Sequence, residues 1–361
     1  MSHRWEHRNS NKREGSAQAR VVTGNASFTL LAAEQPSRKA TACRGTAATT
    51  AKKMKRPRIV IGTRGSQLAQ LQTHMVLSAL RARWPDVAIE IKVITTAGDE
   101  RAFRSVDRHA GRKGLFTSEI ECALLAADVD LAVHSAKDLP SQLTSGTEIA
   151  AVLPRGSVDD VLVATTKCDL GSLPLKSLVA TGSTRRKHQL RWKRPDLEIV
   201  DLRGNVPTRL RKLANSEWHA IILSRVGLER LGLITNAHWV VFEGRDFPID
   251  ILPGETFVPA GGQGVIAIQG RVEDEWVKAL VTPLNDLETR LCLHAEREFL
   301  RLLQADCNQP VGVLAVVDQT KMKIRGQVFE PGATTPRQGL VEGRSAEIEK
   351  LAAELLRQIR A

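Results

Sequence analysis

The spacing of apolar residues changes character at Arg58 and again near Leu287. Residues 1–53 hold no sustained period of 3.6 or 2, are rich in Ser, Thr, Ala, Arg and Lys and poor in acids, and a disordered extension over residues 1–57 is expected. From Arg58 the pattern becomes α/β. Ile59–Ile61 reads as a strand, Gly62–Ser66 as a loop and Gln67–Arg83 as a helix, with Leu68, Leu71, Met75, Ala79 and Leu80 at helical spacing and Trp84-Pro85 as the stop. Val87–Thr95 alternates as a strand, and Ser118 and Glu121 have capping-box spacing at the head of a helix through Ala127. The apolar run Val129–Val133 then delivers His134-Ser135-Ala136-Lys137-Asp138-Leu139-Pro140, where Pro140 blocks simple continuation.

A second set follows: strands Val161–Ala164, Leu178–Ala180, Leu197–Leu202 and Ala220–Leu223, with helices Arg185–Trp192, Val206–Leu213 and Arg225–Leu231 between or after them. Such alternation implies mainly parallel sheets covered on both faces. The loop Pro259–Gly264 is dense in glycine and leads into the apolar run Val265–Ile268. It lacks the glycine spacing of a nucleotide cradle, so it reads as a return of the chain to the first sheet. Beyond it the style changes to helix Leu287–Leu303, strands Val311–Val317, Lys321–Phe329 and Gln338–Glu342, and a helix over Ser345–Ile359, which together make a small α+β unit. No internal repeat of fixed period is present.

Composition narrows the function. The chain has 361 residues, 42% of them hydrophobic, enough for two or three cored domains, and no apolar run of membrane-spanning length. Its net charge of +12 suggests a nucleic-acid surface until it is divided. Residues 1–57 hold twelve Lys/Arg and three Asp/Glu, which leaves only +3 for residues 58–361. The basic character of the folded part is therefore local, concentrated in residues 180–213, where ten Lys/Arg stand against three Asp/Glu. Without a set of aromatic residues around it for base stacking, that cluster fits a small anion better than a polymer. Five widely spaced cysteines with no metal-type pairing fit a reducing compartment, and no metal is expected. The N-terminal extension has two readings, an organelle transit peptide or a start assigned ahead of Met54, and the second is favoured; the expected location is cytoplasmic, with a plastid as the alternative.

The candidate chemistry sits at strand ends. Asp138 follows an apolar strand in a loop, where α/β sheets bind ligands, and its carboxylate suits general acid/base work or stabilisation of a cation; an Asp satisfied in a turn is the plainer reading. Arg64, Ser66, Lys113, Ser183, Arg185, Arg186, Arg203, Arg209 and Arg230 fall in or beside loops on the same side. Guanidinium binds carboxylate bidentately, and Arg185-Arg186 at a helix start oppose the helix dipole, which calls for an anion as partner. Arg230, inside a helix, reads more simply as solvated. Cys122 and Cys292 read as packing residues, His134 as structural, and Cys307, in the polar loop Ala305–Pro310, as an exposed nucleophile or attachment point.

Taken in order, Gly62-Thr63-Arg64-Gly65-Ser66, Lys113-Gly114-Leu115-Phe116, His134–Pro140, Gly182-Ser183-Thr184-Arg185-Arg186, Leu202-Arg203-Gly204-Asn205-Val206 with Arg209, Gly262-Gln263-Gly264 and Cys307 with Pro310 resemble the motif set of the porphobilinogen deaminases (hydroxymethylbilane synthases). The resemblance spans about residues 58–361. It implies two α/β domains like the lobes of periplasmic binding proteins with a central cleft, one from residues 58–153 and 264–282 and one from 159–258, and a C-terminal α+β domain over 287–361. It implies a dipyrromethane cofactor held by thioether to Cys307 and contacted by Lys137, Asp138, Ser183, Arg185, Arg186 and Arg203. The substrate, porphobilinogen, would meet Arg64, Ser66, Lys113, Arg203, Arg209 and Arg230, with Asp138 as the catalytic carboxylate. Four units would be joined head to tail with loss of ammonia and released by hydrolysis, by a monomer that binds neither nucleic acid nor membrane. His109 in place of a lysine, Ala305-Asp306 in place of Gly-Gly, and Arg225 in place of a small or apolar residue depart from the pattern. A carboxylate receptor without catalysis is the competing reading, and it needs neither Asp138 nor Cys307.

Overall fold

The computed structural model describes residues 58–95, 118–236, 238–305 and 309–361. The expected disorder of the N-terminal extension, Lys113, His109, Asp306 and Cys307 lie outside the described residues. A first sheet has the order β2-β1-β3-β12-β4, built from β1 (Arg58–Arg64), β2 (Ala88–Ile94), β3 (Leu131–Ser135), β4 (Thr147–Val152) and β12 (Ile266–Arg271). β1 is parallel to β2 and β3, whereas β12 enters between β3 and β4 antiparallel to both. The return inferred from the glycine-dense loop is thus present, and it makes the sheet mixed rather than mainly parallel.

The second sheet repeats the arrangement: β7 (Glu198–Val200), β6 (Leu178–Ala180) and β8 (Ala220–Ser224) are parallel, and β5 (Asp160–Ala164) lies antiparallel to both β8 and β11 (Arg245–Leu252). β9 (Ile234–Asn236) and β10 (Trp239–Phe242) extend its edge by antiparallel pairing. β4, β9, β10 and β11 carry no clear period in the sequence: β4 alternates only over its first half, and β11 contains Pro248, a poor strand residue except at an edge or irregularity.

Helix α1 (Gln67–Arg83) covers the first sheet, but with a different face from the one its apolar spacing suggests. Gln72, Thr73, Val76, Leu77 and Leu80 are buried, and Met75 is left exposed. The polar pair can sit inside because each has a partner: Thr73 Oγ1 donates to Thr63 Oγ1 (2.7 Å) and Gln72 Nε2 to Ser135 Oγ (2.9 Å). The expected capping box on α2 (Ser118–Leu125) is also absent, because Glu121 is buried, accepting from Thr144 Oγ1 (2.6 Å) and Gln269 Nε2 (2.8 Å). Cys122, expected to pack, is exposed on that helix, while Cys292 is buried.

After α6 (Glu275–Val281), the last unit is a three-stranded antiparallel sheet, β13 (Val311–Asp318), β14 (Lys321–Val328) and β15 (Arg337–Arg344), packed against α7 (Leu287–Leu303) and α8 (Ile348–Arg360). Phe299, Ile324, Leu355 and Ile359 fill its core, each contributing about 1.5–3 kcal/mol by leaving water. Glu296 on α7 ties this unit to the crossing segments between the two larger sheets. Fully buried, it accepts from Arg155 Nη1 and Nη2 (2.8 and 3.1 Å), Gly262 N (2.6 Å) and Ala315 N (2.9 Å). All its acceptor positions are used, so the buried charge is compensated rather than stranded.

Candidate active site

β3 ends at Ser135 and passes directly into one 3-10 turn, Ala136–Asp138. Ala136 and Leu139 are buried on either side, which pins the turn and leaves Lys137 half-buried and Asp138 exposed. The return loop lies on its back: Ala136 N donates to Val265 O (3.0 Å), and Gly262 adopts φ +76°. A Cβ there would stand 3.0 Å from both Ala136 C and Lys137 N, so a side chain would displace the turn.

Opposite, α3 (Thr184–Lys193) begins with Arg185 and Arg186, both buried. Their anion is internal. Asp160, at the start of β5 and fully buried, accepts from Arg185 Nη2 (2.8 Å), Arg186 Nε (3.1 Å), Arg186 Nη2 (2.7 Å) and Gln263 Nε2 (2.9 Å). Burial alone would raise the Asp160 carboxyl, but the two guanidinium groups and their hydrogen bonds outweigh it and hold it well below the usual carboxylate range. Arg185 Nε is buried with no hydrogen-bond partner among the described residues.

A cavity of about 80 Å³ lies between the turn and this helix, walled by Lys137, Arg186, Arg209 and Arg230, by Gln72 and Ser135, and by apolar Leu68, Val206 and Val226. Burial and the Arg186 charge lower Lys137 to about 8, against the opposing pull of Asp138 and Asp160. Arg209, on α4 (Val206–Ala214), is lowered to about 10 by burial, Arg186 and Arg203. Arg230, closing α5 (Arg225–Arg230), is lowered to about 10 by burial and donates to Gly264 O (2.7 Å). Four cations, Lys137, Arg186, Arg209 and Arg230, line the cavity, and Arg186 is ion-paired to Asp160 behind it. Burial, the largest cause of the lowering in Lys137, Arg209 and Arg230, takes these cations out of water, and an anion bound among them would restore interactions that solvent no longer supplies.

Of the residues picked out by sequence, Lys137, Arg186, Arg209 and Arg230 thus meet around one cavity, with Asp138 exposed on the turn beside Lys137. Arg230, which its helical position suggested was solvated, is among them. Arg185 stands behind the wall on Asp160. Ser66 and Ser183 cap α1 and α3, accepting from Ala69 N (3.3 Å) and Arg186 N (3.5 Å). Arg203 is exposed, and Arg64, half-buried at the end of β1, lies near enough for its charge to act on His134. His134 is buried and neutral, lowered to about 4 mainly by that burial, in keeping with a structural role. Sequence reasoning missed Asp160, Gln72, Ser135 and Gln263. An acidic pair directly before the apolar run Val161–Ala164, and a glutamine fixed between two glycines, were the available signals.

Residues 59–279 match the family model described as "Porphobilinogen deaminase, dipyromethane cofactor binding domain", and residues 290–361 match "Porphobilinogen deaminase, C-terminal domain". The chain belongs to the porphobilinogen deaminase family. The porphobilinogen deaminase of Roseiflexus sp. (strain RS-1) is 44% identical over 271 residues, covering 75% of this chain and 85% of that protein. Those of Moorella thermoacetica and Nitrobacter hamburgensis are 40% and 42% identical over 303 residues, covering 84% and 83% of this chain and 93% and 92% of theirs. Among solved structures, the methionine-binding protein MetQ overlays with a TM-score of 0.39 at 14% identity, covering 65% of this chain and 92% of that one. The family is the hydroxymethylbilane synthase of tetrapyrrole biosynthesis, a transferase acting on the small molecule porphobilinogen with a dipyrromethane cofactor.

Proposed function

We propose that Asp138 and the cations around it are the machinery with which this chain joins four porphobilinogens head to tail. The observation that carries the reading is the pairing of an exposed carboxylate with a wall of four cations, of which Arg186 is offset by the buried Asp160. Each porphobilinogen brings an acetate and a propionate, and Lys137, Arg186, Arg209 and Arg230 offer donors to them where those acids would replace lost solvation. Asp138 assists protonation of the leaving amine, faces the positive charge that develops on the substrate methylene carbon as ammonia departs, and helps remove the proton from the newly joined ring. Arg64, Ser66, Lys113 and Arg203 complete the substrate contacts.

The residues present suit the cofactor. The donor set is cationic in excess, and Arg185 Nε is a buried donor still lacking an acceptor, as a group bearing four carboxylates would require. Lys137, Asp138, Ser183, Arg185, Arg186 and Arg203 would hold it, with Cys307 as the covalent anchor. When bound, it supplies the pyrrole terminus onto which new units are added. The cavity of about 80 Å³ is well below the roughly 300–1,000 Å³ typical of ligand pockets, so the walls separate to admit substrate. Residues 58–153 with 264–282, residues 159–258, and residues 287–361 are the domains that do so, in a monomer. Free Cys122, Cys168 and Cys292 support a reducing, cytoplasmic setting, and among the described residues no helix is long and apolar enough to cross a membrane. The inward burial of Arg185 and Arg186 argues against a nucleic-acid surface.

Intact mass of the purified protein tests the anchor. An adduct of two linked pyrroles, removed by Cys307→Ser, is expected; a native chain at bare mass that turns over porphobilinogen would exclude it.

A further inference from the structure

Arg185 is held on three sides, and only one of them is Asp160. Its Nη1 donates to Val258 O (2.8 Å) and to Gln189 Oε1 (3.0 Å). Gln189 is fully buried one turn along α3, and its amide orientation is fixed by its partners: Nε2 donates to Val258 O (2.9 Å) and to Gln327 Oε1 (2.5 Å), leaving Oε1 for the guanidinium. Gln327 is itself buried, and it belongs to β14 of the C-terminal sheet. The same face of α3 meets that sheet again through Phe329, whose ring lies 5.4 Å from His188 and 6.4 Å, edge-on, from Trp192. Phe329 N in turn donates to Pro310 O (3.1 Å), on the segment that follows Cys307. Val258 O is closely covered as well: a Cβ on Gly312 of β13 would lie 2.7 Å from it.

We infer that Gln189 and Gln327 are positioning residues for the reaction: through this amide pair the C-terminal unit sets the orientation of the Arg185 guanidinium. The inference rests on the reading of Arg185 as a ligand of the cofactor's acid groups. Two features favour positioning over plain packing. An apolar pair would fill the same space without the cost of burying four polar atoms, and the remaining acceptor of the pair, Gln189 Oε1, is spent on the guanidinium that shares Asp160 with the cavity-lining Arg186. The relay also runs between the two parts that must keep register as the tethered product grows, the anchor-bearing unit and the arginine pair.

The test compares Gln189→Leu, Gln327→Leu and the double variant, each as full-length holoprotein, by thermal unfolding, by kcat/KM for porphobilinogen and by intact mass during turnover. Each single change leaves a buried amide group without its partner and should lower the unfolding temperature, while the double change removes the orphan and should recover most of it. Catalysis should not recover in step. With one of the two acceptors of Arg185 Nη1 gone, kcat/KM of Gln189→Leu and of the double variant should stay about tenfold below wild type, the loss expected for one hydrogen bond to a charged group, and partly extended intermediates should accumulate in the mass spectrum. Recovery of kcat/KM along with stability in the double variant, or a wild-type distribution of intermediates in it, would overturn the inference. If Gln189→Leu does not fold, Gln327→Leu decides through the same kcat/KM and mass readouts, with wild-type values counting against the relay. A wild-type protein without a dipyrrole adduct would instead strike the underlying reading of the site, so the two failures are distinct.

Discussion

Two carboxylates act on the same lysine, Lys137, and have opposite fates. Asp160 is fully buried, receives four hydrogen bonds and is held ionised by two guanidinium groups. Asp138 is exposed on a pinned turn, with Lys137 and Arg209 near enough to feel its charge. The first is spent on structure: it allows two arginines to be buried at a helix start where the dipole opposes them. The second is left exposed on its turn, and on the proposed reading it exchanges protons with substrate. One carboxylate organises the cations, and the other stands exposed beside them.

The sharpest way to break this contrast is at Asp138. Asp138→Asn should cut steady-state turnover by about 10²–10⁴-fold with little change in unfolding temperature, because general acid/base groups contribute on that scale and the side chain is exposed. Asp160→Leu should do the reverse. It strands two buried guanidinium groups and should destabilise the fold by about 3–5 kcal/mol, read by urea unfolding. Since the folded-state pKa of Asp160 is depressed, the stability it contributes is present above its unfolded value near 3.9 and is lost as pH falls through the folded one. Asp160→Asn should therefore flatten the stability curve below about pH 4.

A smaller effect concerns Lys137, lowered to about 8. Between that value and about 10.4 the unfolded chain binds more protons than the folded one, so stability rises with pH across this window. Binding moves the other way, because neutral lysine no longer attracts carboxylate. kcat/KM should fall above about pH 8, by no more than tenfold per pH unit, and Lys137→Arg should shift that limb upward. An unchanged limb would remove Lys137 from the substrate contacts.

The same contrast marks what could be read from sequence. The loop position of Asp138 was legible because it is local: one apolar strand, one loop, one carboxylate. Asp160 was not, because its partners lie 25 and 26 residues later on α3, and its fourth donor, Gln263, arrives on the return loop more than a hundred residues on. The anion required by Arg185-Arg186 was anticipated as a ligand, yet the fold supplies one itself. Long periodic elements were equally legible: α7 was read with its observed bounds, Leu287–Leu303. The short strands β9 and β10 at the sheet's edge were not, since short antiparallel pairs gain their stability from neighbours rather than from their own pattern. On α1 the apolar stripe misled for a related reason, as Gln72 and Thr73 are buried by partners on β1 and β3.

The central claim, that Asp138 rather than the arginine-bound Asp160 carries the chemistry, is tested most directly by following the intact mass of full-length Asp138→Asn protein after mixing with porphobilinogen. The account predicts a folded protein that keeps its dipyrrole adduct, stays at that mass or at an early intermediate, and yields almost no hydroxymethylbilane. Passage through the full series of additions at the wild-type rate would contradict it.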